Sequence, residues 1–303
     1  MSGELQGPLT LRGRVFSHEE LLRIREIVVT SPGEHRRFLS KKICEVMEWR
    51  QMNGRLKDRS CRDVLLKLDA AGFLQLPPRR RPPVCRQPIQ ITDHTDPRPA
   101  PAAFGPRDVG TECFRIVSHA GHSAEARLWN EYVERYHYLR YGVPVGPHIK
   151  YFVHVHDEPV ALMAFGGAAW KTAPRDQWIG WSRAQREANL HLVVNNTRFL
   201  ILPWIRIDNL ASRLLSLAAK RLPEDWHRIY AYRPLLLETF VHAERHAGTC
   251  YRAANWINAG ITQGRGKTDR FMTFSLPKKL VFLHPLADNA RIQLNAPIDN
   301  HAP

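Results

Sequence analysis

The sequence predicts an α+β chain of two domains, on three observations. Three helical periods of apolar residues occupy the stretch up to Gly72, and a short alternating run follows them. A segment dense in proline separates that part from the rest. Beyond it, apolar runs of strand length alternate with helical periods, as in an α/β layer.

Ser17-His18-Glu19-Glu20 has the form of a capping box, and Leu21, Ile24 and Val28 continue it at helical spacing, so a first helix spans about Ser17 to Val29. Pro32-Gly33 breaks the chain. Phe38, Leu39, Ile43, Val46 and Met47 mark a second helix, and Asn53-Gly54 marks a turn. From Asp58, Cys61, Leu65 and Leu68 share one face of a third helix that stops at Gly72, and Phe73 to Leu76 alternates as a strand before Pro77-Pro78. Three helices and a strand give the plan of a winged helix-turn-helix, which assigns residues 1–81 to a DNA-binding domain. Arg50, Arg55, Lys57, Arg59, Arg62 and Lys67 lie on or just before the third helix, where such folds present the helix that enters a groove. Arg79-Arg80-Arg81 follows as an arm for phosphates or a minor groove. The same bases on a plain bundle would be a solvated face.

Residues 82–110, with Pro97, Pro99, Pro101 and Pro106 closely spaced, form a stiff linker, or a loop pinned on the second domain by Ile89 and Ile91. The second domain covers 111–287. Phe114 to Val117 is a strand and Glu125 to Tyr138 a helix. Lys150 to His156 and Val160 to Phe165 pair as a hairpin. Asn195 to Trp204 is a buried strand. Asp208 or Asn209 caps a helix with Leu210, Leu214, Leu217 and Ala218 on one face. A strand from Ile229 to Leu237 has Glu238 and Thr239 at its exit, and a short helix runs from Thr249 to Trp256. Phe271 to Phe274 and Lys279 to Leu283 are closing strands, and 288–303 is a polar, disordered tail. Strand, helix, strand, helix argues for parallel pairing, with ligands where the strand ends splay. Arg198, Glu238, Tyr251 and Arg265 converge there.

The 303 residues carry a formal charge of +15 and a pI near 10.0, which biases the partner towards polyanions, nucleic acid first. Five scattered cysteines without C-x-x-C spacing indicate neither a disulfide framework nor a thiolate zinc site. Without a secretory pattern or an apolar run of spanning length, a cytoplasmic protein with no membrane partner is expected.

The blocks Asn195 to Trp204, Asn209 to Ser212, Leu236 to Val241, Gly248 to Trp256 and Thr262 to Gly266 resemble the DruA family of the Druantia anti-phage systems, whose relatives also occur in or fused to insertion-sequence transposases. The resemblance runs from about Phe16 to Leu283 and implies work on DNA in defence or in mobile elements. The order of elements in the second domain also resembles the acetyltransferase superfamily of the general-control type. In that superfamily a glycine-rich loop at a helix N-terminus grips a pyrophosphate. Here Arg206 to Ala211 places Asp208 and Asn209 in that loop, so no acyl-coenzyme A is expected. That resemblance implies an acid role for Tyr251.

For DNA chemistry, Tyr251 would attack a phosphodiester while Arg198 or Arg265 holds the developing charge, and Glu238 would act as a base or metal ligand. An internal Glu238 to Arg198 ion pair is the structural alternative. Thr262 to Lys267, with Arg265 and Lys267, suits phosphate. His154 and His156, alternating on a strand, would share a face and could hold a divalent metal, magnesium or manganese being the cofactor that cleavage implies. The expected function is DNA binding with strand cleavage or transfer, on duplex and single-stranded DNA, beside other defence or transposition proteins. A non-catalytic DNA module and an acyl-coenzyme A-dependent acyltransferase are the alternatives.

Overall fold

The computed structural model describes residues 8–12, 14–52, 54–79, 88–99, 105–117, 123–264 and 276–296. The chain divides into two units, Met1–Gln87 and Pro88–Pro303. The unit 1 hairpin of β1 (Leu9–Leu11) and β2 (Arg14–Phe16) leads into α1 (His18–Val29), α2 (Arg36–Val46) and α3 (Asp58–Ala70). The capping box forms as spelled: Glu20 N–H donates to Ser17 Oγ at 3.1 Å and Ser17 N–H to the Glu20 carboxylate at 2.9 Å. Phe16, Leu21, Ile24, Leu39, Ile43 and Leu65 make the core, and Trp49 meets the Phe16 ring edge-on at 5.4 Å.

The strand expected at Phe73 to Leu76 does not form. Phe73, Leu74 and Leu76 are all buried, so the run does not alternate. Its backbone bonds return to α3, Phe73 N–H to Leu68 C=O and Leu76 N–H to the Asp69 carboxylate, leaving no ladder. Gly72, at φ +72°, makes the left-handed exit that permits this. Strands β1 and β2 are three residues each, too short for an alternation to show in the sequence.

Unit 2 is built on β3 (Phe114–Ile116), α4 (Ala124–Tyr136), β4 (His148–Val155), β5 (Glu158–Gly167), α5 (Ala173–Ile179), α6 (Arg183–Asn189), β6 (Val193–Ile201), α7 (Leu210–Tyr230), β7 (Leu236–His242), α8 (Thr249–Ala253), β8 (Ile257–Ile261), β9 (Lys279–Pro285) and α9 (Ala290–Leu294). One seven-stranded mixed sheet has the order β3-β4-β5-β6-β7-β9-β8, with β6 and β7 its parallel pair. Alternate residues feed opposite faces. Leu237 and Phe282 join a core with α4 and α7, while Leu236, Val281 and Leu283 join one with α5 and α9.

Four expectations are corrected here. Ile229 and Tyr230 are helical, because α7 continues the apolar face of Leu222 and Trp226, and the turn comes at Ala231 in left-handed geometry. The strand starts only at Leu236, so Glu238 and Thr239 lie inside β7 rather than at its exit. The tail contributes α9, whose Ala290 and Leu294 are buried, and the Asn295 amide donates to Ile179 C=O. The proline-rich segment is fastened at Thr92 to Asp96, not by Ile89 and Ile91. Of that last pair Ile91 is 46% exposed. The expected strand Phe271 to Phe274 lies outside the described residues.

The fastening is polar. One oxygen of Glu131, on α4, accepts from Thr92 N–H at 2.6 Å and from the hydroxyls of Thr92 and Thr95 at 2.9 and 2.8 Å. Burial opposes ionisation of this carboxyl, but those bonds outweigh it and hold its pKa below the ordinary glutamate value. The stability it contributes is therefore complete above the unfolded carboxyl's pKa and is lost as pH falls through the folded one. Glu131→Ala strands these donors and should cost about 1–3 kcal/mol. Denaturant melts should show the loss, with faster proteolysis in residues 88–99.

Candidate functional site: a cleft between β6 and β7

The two parallel strands pair only from Val193 with Leu236 to Asn195 with Glu238. A bulge then interrupts β6, its register with β5 jumping between Asn196 and Arg198, so Thr197 is the extra residue. Asparagine is a poor strand residue, yet Asn196 is suited to this position. Its amide nitrogen donates to the carbonyls of Ala164 and Arg198, both at 3.1 Å, and its oxygen accepts from the Tyr251 hydroxyl at 3.1 Å. Past the bulge, β6 stays on β5 and β7 stays on β9, and the strands part.

The opening is a cavity of about 630 Å³. Its floor is Asn196, Thr239 and Tyr251, and its sides come from Arg198 and the segments 136–139 and 245–251. Tyr251 stacks on Phe282 at 5.5 Å, which is possible because Gly248, at φ +71°, has no Cβ to run into that ring. Burial raises the Tyr251 phenol well above its ordinary pKa, so the hydroxyl stays protonated and is engaged with Asn196.

Arg198 is half-buried. Its Nε donates to Arg140 C=O at 2.9 Å and one terminal nitrogen to Thr197 C=O at 2.7 Å. The other terminal nitrogen stands by Gly142, where an added Cβ would lie 3.3 Å away. No carboxylate among the described residues pairs with Arg198, and burial lowers its pKa. Among the described residues the lining includes a second arginine, Arg245, two histidines, His137 and His246, and no aspartate or glutamate. His137 is brought to about 4 by burial, then by the charges of Arg198 and His246, and its Nδ1 accepts from Leu139 N–H. It is neutral at pH 7.

The expected quartet is not assembled. Glu238 points to the other face of the sheet, fully buried, and does not line the cleft. It pairs with Arg175 at 2.9 Å, not with Arg198, and accepts from Ala169 N–H at 2.8 Å. Burial raises its pKa, with the Arg175 charge opposing. Arg175 in turn holds Asp176 at 2.7 Å. Arg80, Arg81, Arg265 and Lys267 lie outside the described residues. His154 is in β4, but His156 sits in the following turn at φ +50°, so strand alternation does not reach it. Among the described residues no group of three His, Cys, Asp or Glu could hold a metal ion. In unit 1, Arg59, Arg62 and Lys67 share a face of α3, with Arg62 on Asp58 at 3.4 Å, and Arg50, Arg55, Lys57 and Arg79 are exposed.

The family described as Druantia protein DruA matches residues 111–285, which contain the whole cleft. The chain belongs to the DruA family. No curated protein matches it. Among solved structures, this DruA-family chain is similar to an acetyl transferase from Salmonella typhimurium that modifies the N-terminal serine of ribosomal protein L7/L12, at 8% identity and TM-score 0.31, over 46% of this chain and 64% of that one. It is similar also to aminoglycoside acetyltransferase AAC(6')-Ib in complex with coenzyme A, at 13% and 0.37, over 61% and 99%. An N-acetyltransferase from Staphylococcus aureus Mu50 follows at 14% and 0.31, over 56% and 81%. The chain thus spans less than two thirds of the Salmonella enzyme.

Sequence reasoning missed Asn196, Thr239, Arg245 and His246. For Asn196 a signal existed, an asparagine inside an apolar strand, which marks a bulge. The others come together only in three dimensions.

Two outcomes follow. Glu238→Ala should lose about 3–5 kcal/mol in denaturant melts, because it strands a buried guanidinium, while Arg175→Met with Glu238→Met should recover most of it. Stability should also fall as pH drops from about 6.5 towards 4, since only the unfolded His137 takes up its proton there, and His137→Asn should flatten that window.

Proposed function

We propose that this DruA-family chain is a DNA-handling protein of anti-phage defence, in which unit 1 holds duplex and the unit 2 cleft receives a strand. The observation that supports it best is the cleft's composition: arginines and histidines, no carboxylate, and a half-buried guanidinium with a free terminal nitrogen. Such a surface draws anions, and the second terminal nitrogen of Arg198 is open to one. The net charge of +15 favours the same class of partner.

The winged-helix assignment of unit 1 belongs to this proposal, with α3 and its face of Arg59, Arg62 and Lys67 as the groove-facing helix. Strand cleavage or transfer would call for a nucleophile or a metal. The Tyr251 hydroxyl is protonated and engaged, and among the described residues the cleft offers no carboxylate to bind magnesium or manganese. The reading therefore favours the recognition module, with partner proteins supplying chemistry. The acyltransferase reading would need the head of α7, where Asp208 is exposed and Asn209 adopts φ +59°. A carboxylate there repels a pyrophosphate, and no step is derived through coenzyme A.

Duplex titrations at several salt concentrations test the proposal. Replacing Arg59, Arg62, Lys67 and Arg79 together by alanine should weaken binding and reduce the slope of log K against log salt by about 3.6, near 0.9 for each of the four lost phosphate contacts. Unchanged affinity and slope would remove unit 1 from the interface.

A further inference from the structure

The cleft has an aromatic lip beside its cation. Tyr138 is 40% exposed and stacks on His137 with centroids 4.9 Å apart and planes 24° apart. The Arg245 guanidinium lies 5.6 Å from the Tyr138 centroid, and the His246 ring is 5.7 Å away. Exposing this much of an aromatic ring beside an arginine makes a platform of the kind on which nucleobases stack. Arg198, whose Nε donates to Arg140 C=O two residues beyond Tyr138, lines the same space beside this lip.

We propose that the cleft is a subsite for one unpaired nucleotide, with its phosphate on Arg198 and its base against Tyr138. This rests on the DNA-handling reading and specifies which part of the strand enters. The size suits a single nucleotide. A cavity of about 630 Å³ falls within the roughly 300–1,000 Å³ of small-ligand sites. A base still paired in a duplex does not reach into such a site; a strand end or an extruded nucleotide does. Chemistry decides against a bare inorganic anion, for which the aromatic lip would have no use. The floor of Asn196, Thr239 and Tyr251 then faces the incoming group with atoms already committed to one another, so it shapes the site rather than reacting.

Fluorescence competition with the full chain tests this, using a 5′-phosphorylated thymidine dinucleotide, its unphosphorylated counterpart and coenzyme A, which shares the phosphorylated-nucleotide chemistry. The phosphorylated dinucleotide should bind at least tenfold tighter than the unphosphorylated one. Arg198→Ala should erase that preference, and Arg198→Lys should keep part of it. Tyr138→Ala should weaken both dinucleotides by roughly tenfold, while Tyr138→Phe should bind as the parent does. Thermal melts confirm that each variant is folded. Equal affinity for the two dinucleotides, or a preference that survives Arg198→Ala in a folded protein, overturns the proposal. So does tighter binding of coenzyme A. Duplex binding without dinucleotide binding removes this subsite and leaves the DNA reading standing. Binding of neither removes both.

Discussion

The amide of Asn196 is the constraint on which unit 2 depends. A parallel pair of strands in the middle of a sheet has no reason to part, since each broken rung leaves backbone groups to be satisfied elsewhere. Here the bulge at Thr197 turns β6 aside, and the Asn196 side chain takes two of the carbonyls around it. Strands β6 and β7 each keep one other neighbour, β5 and β9, so the sheet remains whole while its centre opens. The same amide's oxygen fixes Tyr251, which rests on Phe282. Ladder end, floor and cavity thus have a common origin.

Adjacent residues of β7 then serve opposite purposes. Thr239 faces the cleft and Glu238 the far side, as strand alternation requires. On the far side the buried charges form a chain: Glu238 with Arg175, Arg175 with Asp176, and Arg186 at 3.6 Å from Asp176. On the cleft face the cations outnumber the anions among the lining residues, and Arg198 is held by backbone carbonyls alone. Carbonyls orient a guanidinium without neutralising it, so its charge remains available to a ligand.

Much of this was legible in the sequence. The capping box at Ser17, the break at Pro32-Gly33 and the glycine exit at Gly72 gave the helices of unit 1, and the alternation from Asn195 onward gave the parallel pair. What failed did so for physical reasons. Phe73 to Leu76 has strand composition, but burial of Phe73 and Leu74 together commits the run to the helix bundle. Ile229 to Tyr232 has it too, yet Ile229 and Tyr230 close a 21-residue helix and the chain turns at Ala231. Arg198 and Glu238 were grouped because both lie near strand ends, and only the register showed them on opposite sides. Arg175, the true partner of Glu238, lies 63 residues from it in sequence, which no local pattern reveals. The meeting of Tyr138 with Arg245 is likewise a product of tertiary folding.

Photocrosslinking of a single strand carrying 5-iodouracil, with the adducts mapped by mass spectrometry, tests most directly whether the open centre of the sheet is where nucleic acid goes. The account predicts adducts on Tyr138 and neighbouring residues of the 136–141 and 245–251 segments, and none on Trp170, which is 59% exposed. Adducts on Trp170 with none on Tyr138 would contradict it.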